Sequence, residues 1–168
     1  MKRLLGLGVM FCAIVLFGCT HAGRPPRQTA GGMERTDRTV SAEIEAVLQQ
    51  YVRAINDANS DSLRDIWDSG DAVSYVNPTQ RLRTWEELER FWQGFLGGRF
   101  SAREFTPDSV AIQRLGDVAW VVFNWEFKAT QRNGQPYQQH GWETQVYRRT
   151  DRGWRIAHAH YSALALQQ

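Results

Sequence analysis

Residues 118–163 read VAWVVFNWEFKATQRNGQPYQQHGWETQVYRRTDRGWRIAHAHYSA, and this stretch decides the fold. Apolar and polar side chains alternate along three segments of it, which is the pattern of half-buried β-strands. The three predicted strands lie at about 118–130, 137–149 and 154–163. Asn133-Gly134 is a typical hairpin turn, and Asp151-Arg152-Gly153 forms a second turn. The sequence therefore predicts consecutive antiparallel strands.

The sequence before these strands predicts helices. One helical face is formed by Ile44, Val47, Leu48, Tyr51, Val52 and Ile55. A short second helix carries Leu63, Ile66 and Trp67, and a strand at 72–77 follows it. Thr84 and Glu87 form a capping box that begins a third helix, which Gly97-Gly98 ends. Three helices and a run of long strands predict an α+β fold, with the helices on one face of a curved antiparallel sheet.

The composition is that of a globular protein. The chain has 168 residues, of which 42% are hydrophobic and 23% are charged, enough for one domain. Twenty basic and eighteen acidic residues give a net charge of +2, which provides no electrostatic basis for a nucleic-acid partner. Both cysteines, Cys12 and Cys19, precede the body, so it has no disulfide or cysteine–zinc site. We expect no cofactor.

Residues 1–18 are predicted to be a lipoprotein signal peptide. Lys2 and Arg3 precede an apolar run that is short for a membrane span. The run ends in Leu16-Phe17-Gly18-Cys19, which resembles a bacterial lipobox. Cys19 would then carry the lipid that anchors the protein to the membrane. Thr20 follows it, which favours the outer membrane of the cell envelope, with the protein facing the periplasm.

Residues 19–38 are predicted to be a flexible tether. They are rich in Gly, Pro, Arg and Thr and have no periodic apolar positions, so they cannot bury enough surface to order themselves. The folded domain is then expected at 39–168. An alternative is that Met33 is the true start, which would make the product cytoplasmic.

Two stretches resemble the nuclear-transport-factor-2-like superfamily. They are EIEAVLQQYVRAIN at 43–56 and ETQVYRRTDRGWRIAHAHYSA at 143–163. The ending, with Trp154 and the pattern His158-x-His160-x-Ser162, is most similar to the association domain of calcium/calmodulin-dependent protein kinase II and to SnoaL-like bacterial proteins. The resemblance implies a cystatin-like cone, in which a bent sheet and three helices enclose a pocket, and a homodimer. This fold hosts isomerases, dehydratases, cyclases, transport factors and assembly modules, so fold alone does not decide function.

The resemblance also implies which strand face lines the pocket. Side chains alternate along a strand, so on the last strand Trp154, Ile156, His158, His160 and Ser162 should share the face opposite to Tyr161. The Tyr161 face is implied to look inward, with Phe123, Trp125, Phe127, Glu143, Gln145 and Tyr147. Pocket arginines of the association domain correspond here to Trp125, Gln145 and Tyr161, so a carboxylate pocket of that type is not expected. We expect an aromatic pocket for a small apolar ligand.

Glu143 is the candidate catalytic residue. Burial in an apolar pocket would raise its pKa and make it a general base for proton abstraction beside a carbonyl. Tyr75, Tyr147 or Tyr161 could donate a hydrogen bond to the resulting oxyanion. The alternative is that Glu143 is structural and either pairs with an arginine such as Arg148 or Arg155 or bonds a neighbouring strand.

Two further surfaces follow from the strand pattern. His140, His158 and His160 could together hold zinc, although packing and interface hydrogen bonds are the alternative role for these residues. An apolar outer sheet face is expected from Trp120, Val122, Trp142, Thr144 and Val146. Such a face would be exposed in a monomer, so we expect a second subunit to cover it.

The sequence leaves three functions open. The first is a membrane-anchored domain that binds a small apolar ligand, assembles with itself or does both, without catalysis. The second is an isomerase or dehydratase that acts on a small organic molecule with Glu143 as base. The third is a non-catalytic oligomerisation module. The sequence does not decide whether the protein is an enzyme.

Overall fold

The computed structural model describes residues 30–69 and 73–164, and for 30–36 it describes the backbone alone. The predicted signal peptide, Cys19 and the first part of the expected tether lie outside the described residues. In the described ranges, no helix has both the length and the apolar character needed to cross a membrane.

The described part of the chain forms three α-helices, one π-helical segment and six strands. The helices are α1 (Ala30–Asp57), α2 (Ser60–Ile66) and α3 (Trp85–Trp92), and the π-helical segment (Gln93–Gly98) continues α3. The strands are β1 (Ser74–Val76), β2 (Arg81–Leu82), β3 (Phe100–Leu115), β4 (Val118–Gln131), β5 (Pro136–Thr150) and β6 (Gly153–Ala163).

All six strands form one curved sheet in the order β2-β1-β6-β5-β4-β3. The long strands β3 to β6 pair antiparallel in chain order, and the predicted hairpin at Asn133-Gly134 joins β4 to β5. The α+β class and the curved sheet are confirmed. The sheet is mixed, however, because β1 pairs parallel to β6, with Ser74 opposite His158. A parallel pair needs a long crossover, and the chain from α3 through β5 supplies it.

Helix α1 begins at Ala30, earlier than the predicted tether allows. After Gly32 the sequence contains no glycine or proline until Gly70, so nothing in it stops a helix from extending back from the amphipathic part. Asp37 also anchors this end of the helix, because its carboxylate accepts a hydrogen bond from Arg114 of β3 at 2.6 Å. The last residues of the predicted tether, 30–38, are therefore helical in the structure.

The helices cover the concave face of the sheet, and the core lies between them. Ile44, Leu48 and Tyr51 of α1 are almost fully buried there. Gly141 of β5 permits close packing at the centre of the sheet, because a Cβ at this position would lie 1.8 Å from a backbone oxygen of β6 and 3.0 Å from the Trp125 ring. The missing side chain therefore lets Trp125 lie across the strand.

Strand β6 contains a β-bulge at Ala157. Val146 of β5 pairs with His158, but the next residue, Tyr147, pairs with Ile156, so Ala157 is an extra residue. An extra residue reverses the face on which every side chain before it lies. The strict alternation that the sequence predicts is therefore broken within β6.

Because of the bulge, the side chains of β6 are divided between the two faces of the sheet differently from the prediction. Trp154 and Ile156 are 2% and 0% exposed and belong to the core, on the same side as Tyr161. His158 and His160 remain on the outer side. The prediction that all four share one face is wrong, because it assumed a regular strand.

Candidate functional site

A small cavity lies between the helices and the concave face of the sheet. Its volume is about 40 Å³. The wall is mainly aromatic and is formed by Tyr51, Ile55, Tyr75, Trp92, Phe95, Leu96, Phe105, Trp125, Phe127, Gln139, Glu143 and Tyr161. This volume holds two or three water molecules at most and is far below the ~300 Å³ of a typical ligand pocket. A ligand can therefore enter only if side chains at the mouth move outward.

Glu143 of β5 is the only carboxylate that lines this cavity in the described structure. Its side chain is 3% exposed. The Gln145 amide donates a hydrogen bond to Glu143 Oε1 at 2.7 Å, and the Tyr147 hydroxyl donates one to Gln145 Oε1 at 2.5 Å. The Tyr51 hydroxyl of α1 also hydrogen-bonds the Glu143 carboxyl. The carboxyl is thus held by neutral groups from one strand and one helix.

Burial raises the pKa of Glu143 from its ordinary value of 4.5 to about 7, although the hydrogen bonds from Gln145 and Tyr51 oppose this rise. Among residues 30–69 and 73–164, no basic side chain forms an ion pair with this carboxyl. Near neutral pH both its protonated and its ionised forms are therefore populated, which a general acid–base group requires.

Tyrosines surround the carboxyl. The rings of Tyr75 and Tyr161 lie 5.9 Å apart, and Tyr161 packs edge-on against Trp125 at 5.6 Å. Burial raises the pKa of Tyr75 well above its ordinary value and that of Tyr161 to about 12. Both hydroxyls therefore keep their protons at neutral pH and can act as hydrogen-bond donors.

The structure brings together the three predicted catalytic residues, Glu143, Tyr75 and Tyr161, at one cavity. Of the predicted pocket residues, Trp125 and Phe127 line it. Phe123, Gln145 and Tyr147 are buried but do not line it. Phe123 packs against Phe105, and the other two act on Glu143 through the hydrogen-bond chain.

The sequence did not predict that Tyr51, Phe95 and Gln139 line the cavity. Tyr51 was assigned to the apolar face of a helix, and nothing in its spacing distinguishes a core tyrosine from one that binds a carboxyl. Phe95 lies in the π-helical segment, whose wide turn the sequence did not indicate. Gln139 lies on β5 four residues before Glu143, and strand alternation places both on one face, so this residue could have been found.

The predicted pairing of Glu143 with Arg148 or Arg155 does not occur. Arg148 pairs instead with Asp68, with Nη2 and Oδ2 2.5 Å apart. Arg155 donates to the carbonyl of Trp154 at 2.8 Å. Both guanidinium groups are therefore engaged away from the cavity, and Glu143 is left with neutral partners.

The three histidines do not come together. His140 lies opposite Glu126, whereas His160 lies opposite Thr144, four residues further along β5, which is roughly 13 Å. His158 Nδ1 is 2.8 Å from the hydroxyl of Ser74 on β1. In the ranges that the structure describes, no three His, Cys, Asp or Glu side chains are grouped to hold a metal ion. The alternative zinc site therefore does not form.

Comparison with known proteins gives the same fold. A SnoaL-like domain family matches residues 44–166. A nuclear-transport-factor-2-like superfamily protein from Salmonella enterica serovar Typhimurium is 31% identical, with a TM-score of 0.74, over 79% of this chain and 96% of that one. No curated protein matches the sequence.

Two more distant structures share the fold. A candidate dehydratase of the same family from Streptomyces avermitilis is 21% identical, with a TM-score of 0.68, over 77% of this chain and 99% of that one. A candidate calcium/calmodulin-dependent protein kinase II association domain from Xanthomonas campestris is 20% identical, with a TM-score of 0.64, over 74% and 88%. The family match over residues 44–166 and the similarity to the Salmonella protein identify the chain as a member of the SnoaL-like domain family, within the nuclear-transport-factor-2-like superfamily.

Proposed function

We propose that the aromatic cavity binds a small, largely apolar molecule and that Glu143 exchanges a proton with it. One observation carries this proposal: Glu143 is a buried cavity carboxyl with only neutral partners among the described residues and a pKa of about 7. Burying a carboxyl without a cation is costly, so such a group in a cavity is a candidate functional site.

The chemistry that suits these residues is an isomerase- or lyase-type proton transfer. Ionised Glu143 takes a proton from a carbon beside a carbonyl, and the electron pair of the broken C–H bond moves to the carbonyl oxygen. Tyr75 or Tyr161 donates a hydrogen bond to that oxygen. Return of the proton from Glu143 to another carbon gives an isomer. If Glu143 instead gives this proton to a hydroxyl group on the carbon next to the enolate, that group leaves as water and a dehydration product forms. The shared fold of the Streptomyces candidate dehydratase supports the second outcome as a possibility for this chain.

The test separates binding from proton transfer. Small aromatic ketones are added to the full chain in D₂O, and NMR follows both binding and deuterium uptake beside the carbonyl. We expect Glu143→Gln to bind the ketones with little change but to lose deuterium exchange at least a hundredfold, because the amide cannot accept the proton. Glu126→Gln is the matched control, since Glu126 lies on β4 outside the cavity wall, with its side chain 41% exposed and paired with Lys128. Binding without exchange in the wild type would leave only the ligand-binding function, and no binding of any ketone would contradict the proposal.

A second candidate function is self-assembly through the outer face of the sheet. Val118, Val122 and Trp142 are 42%, 39% and 51% exposed there, which is unusual for large apolar side chains on neighbouring strands. We propose that a second copy of the chain covers this face. Sedimentation should show a dimer at micromolar concentration and a monomer for Trp142→Arg, whereas a wild-type monomer would contradict this candidate.

We further propose that Cys19 carries a lipid anchor that holds the domain at the bacterial cell envelope, on the periplasmic side of the outer membrane. The lipobox-like order of residues 16–19 supports this proposal. Mass spectrometry of the membrane fraction should detect acylated Cys19, and Cys19→Ala should release the protein from that fraction. Unchanged processing and fractionation of the variant would contradict it.

A further inference from the structure

The mouth of the cavity is marked by the three lining residues that are half-buried rather than buried, Phe95, Gln139 and Tyr161. Arg99 lies at this mouth. Its guanidinium carbon is 5.8 Å from the centre of the Phe95 ring and 4.6 Å from that of Tyr137. The Tyr137 hydroxyl in turn donates to Gln139 Oε1 at 2.9 Å. Arg99 is also close enough to Tyr161 to oppose the rise in the pKa of that phenol.

Among the described residues, Arg99 is the arginine at this mouth that forms no ion pair and donates no hydrogen bond to a backbone carbonyl. Its side chain is exposed, and within the described ranges no carboxylate forms an ion pair with it. The neighbouring cations are already engaged. Arg103 donates to the carbonyls of Asn56, Leu96 and Phe100, and Arg132 donates to those of Gly97 and Gly98. The three guanidinium groups together make this end of the cavity positive.

Three aromatic rings surround the Arg99 guanidinium. Besides Phe95 and Tyr137, it lies 5.1 Å from the centre of the Phe100 ring. Cation–π contacts of this kind restrain the group without using its N–H donors in hydrogen bonds. A planar fork of donors beside an apolar cavity is suited to a carboxylate or phosphate, which it can bind through two parallel hydrogen bonds.

We propose that the ligand of this cavity is an anionic amphiphile, whose apolar body enters the aromatic cavity and whose oxyanion is bound by Arg99 at the mouth. The inference rests on the proposed ligand-binding function and narrows its ligand class. It also differs from the pocket arginines of the kinase association domain, because Arg99 follows the π-helical segment at the rim, whereas Trp125, Gln145 and Tyr161 occupy those inner positions.

The experiment compares benzoate, phenyl phosphate and neutral benzyl alcohol on the full chain, with tryptophan fluorescence and NMR shifts as readouts. At low salt we expect at least one anion to bind about fivefold more tightly than the alcohol, and 0.5 M salt to remove most of this advantage. Preference for benzoate would identify a carboxylate ligand, and preference for phenyl phosphate a phosphate ligand.

Substitutions of Arg99 test whether this residue causes the tighter binding of the anions. Arg99→Gln should lose the anion's advantage and keep alcohol binding, whereas Arg99→Lys, which retains the charge without the planar fork, should keep part of it. Arg152→Gln is the matched control, because Arg152 lies in the β5–β6 turn at the opposite end of the sheet. Equal binding of all three probes, or an unchanged anion advantage in Arg99→Gln, would overturn the inference while leaving the ligand-binding function in place. Binding of none of the probes would instead overturn both.

Discussion

Two buried carboxyl groups in this protein have opposite surroundings. Asp68 is 5% exposed, and its Oδ2 lies 2.5 Å from Nη2 of Arg148, whose own side chain is 47% exposed and reaches solvent. Glu143 is 3% exposed and accepts hydrogen bonds from Gln145 and Tyr51. One carboxyl is therefore compensated by a cation, and the other by neutral donors.

The difference shows how a fold can hold a carboxyl for structure or for chemistry. A carboxylate that is buried beside a cation forms an ion pair, whose attraction offsets part of the cost of burial. Neutral donors offset only part of the cost of burial, so the pKa of Glu143 rises to about 7 and the group can change its charge near neutral pH. We therefore expect substitutions at the two sites to change the free energy of unfolding in different ways.

The largest expected effect is a pH dependence that belongs to Glu143. Its pKa is about 7 in the folded chain and near 4.5 when unfolded, so the folded state binds more protons between these values. Its contribution to stability is complete below pH 4.5 and is lost as the pH rises to about 7, a fall of roughly 3 kcal/mol. Glu143→Gln removes this titration. The difference in free energy of unfolding between variant and wild type, measured with urea from pH 4 to 8, should therefore change by that amount.

This difference isolates Glu143 from other groups. His158 has a lowered pKa, so its contribution to stability changes in the opposite sense, but it is common to both proteins and cancels. Glu126→Gln provides the control for removing an exposed carboxylate. Parallel stability curves for wild type and Glu143→Gln would show that Glu143 is not held in the manner described.

The second-largest effect is expected when the ion pair between Arg148 and Asp68 is removed. Arg148→Gln removes the ion pair that Arg148 forms with the buried Asp68 and should cost about 2 kcal/mol at pH 7, less than a fully buried pair because Arg148 is half-exposed. Adding Asp68→Asn should restore part of the loss, since a neutral amide is less costly to bury. Thermal and urea unfolding measure both changes, and a loss below about 0.5 kcal/mol for the single variant would mean that solvent already compensates Asp68.

The third effect concerns the hydrogen bond that Tyr51 donates to Glu143. Tyr51→Phe removes a hydrogen bond that favours the ionised form of Glu143, so the pKa of Glu143 should rise further and stability should fall by about 1 kcal/mol. Tyr147→Phe is the comparison variant and should raise the pKa of Glu143 less, because Tyr147 reaches Glu143 only through Gln145. Carbon-detected NMR titration compares the two variants, and an unchanged Glu143 pKa in Tyr51→Phe would remove Tyr51 from the site.

The smallest effect is expected at an exposed ion pair. Arg149 Nη1 and Glu43 Oε2 lie 2.8 Å apart, with side chains 42% and 44% exposed. Glu43→Gln should cost less than about 0.5 kcal/mol, because water screens such a pair. A loss as large as that of Arg148→Gln would show that burial is not what distinguishes Asp68.

The sequence predicted those features that depend on local chemistry. The Thr84 capping box is present, with the Thr84 hydroxyl accepting from the backbone N–H of Glu87 at 3.2 Å. Asn133-Gly134 turns the chain between two paired strands, with Gly134 at a φ of +84°. The period-two pattern grouped Glu143 with Gln145 and Tyr147 on one strand face, and the resemblance implied that this face looks inward. Each of these signals lies within a few residues of the structure that it specifies.

The features that the sequence did not predict depend on distant partners or on one inserted residue. Ala157 resembles any other strand residue, yet its bulge reverses the faces of Trp154 and Ile156. Arg148 and Asp68 are eighty positions apart, and their pairing is set by the docking of the end of α2 against β6. The cavity's small volume depends on how aromatic rings pack across elements, which periodicity does not specify.

The central claim is that Glu143 is a buried carboxyl held by neutral groups at a cavity. The most direct test is a ¹³C NMR titration of the side-chain carboxyl carbons, with Glu143→Gln identifying the Glu143 signal. The account predicts a midpoint near pH 7 for this resonance. A midpoint at or below pH 4.5 would show a solvated or ion-paired carboxylate and would contradict the account.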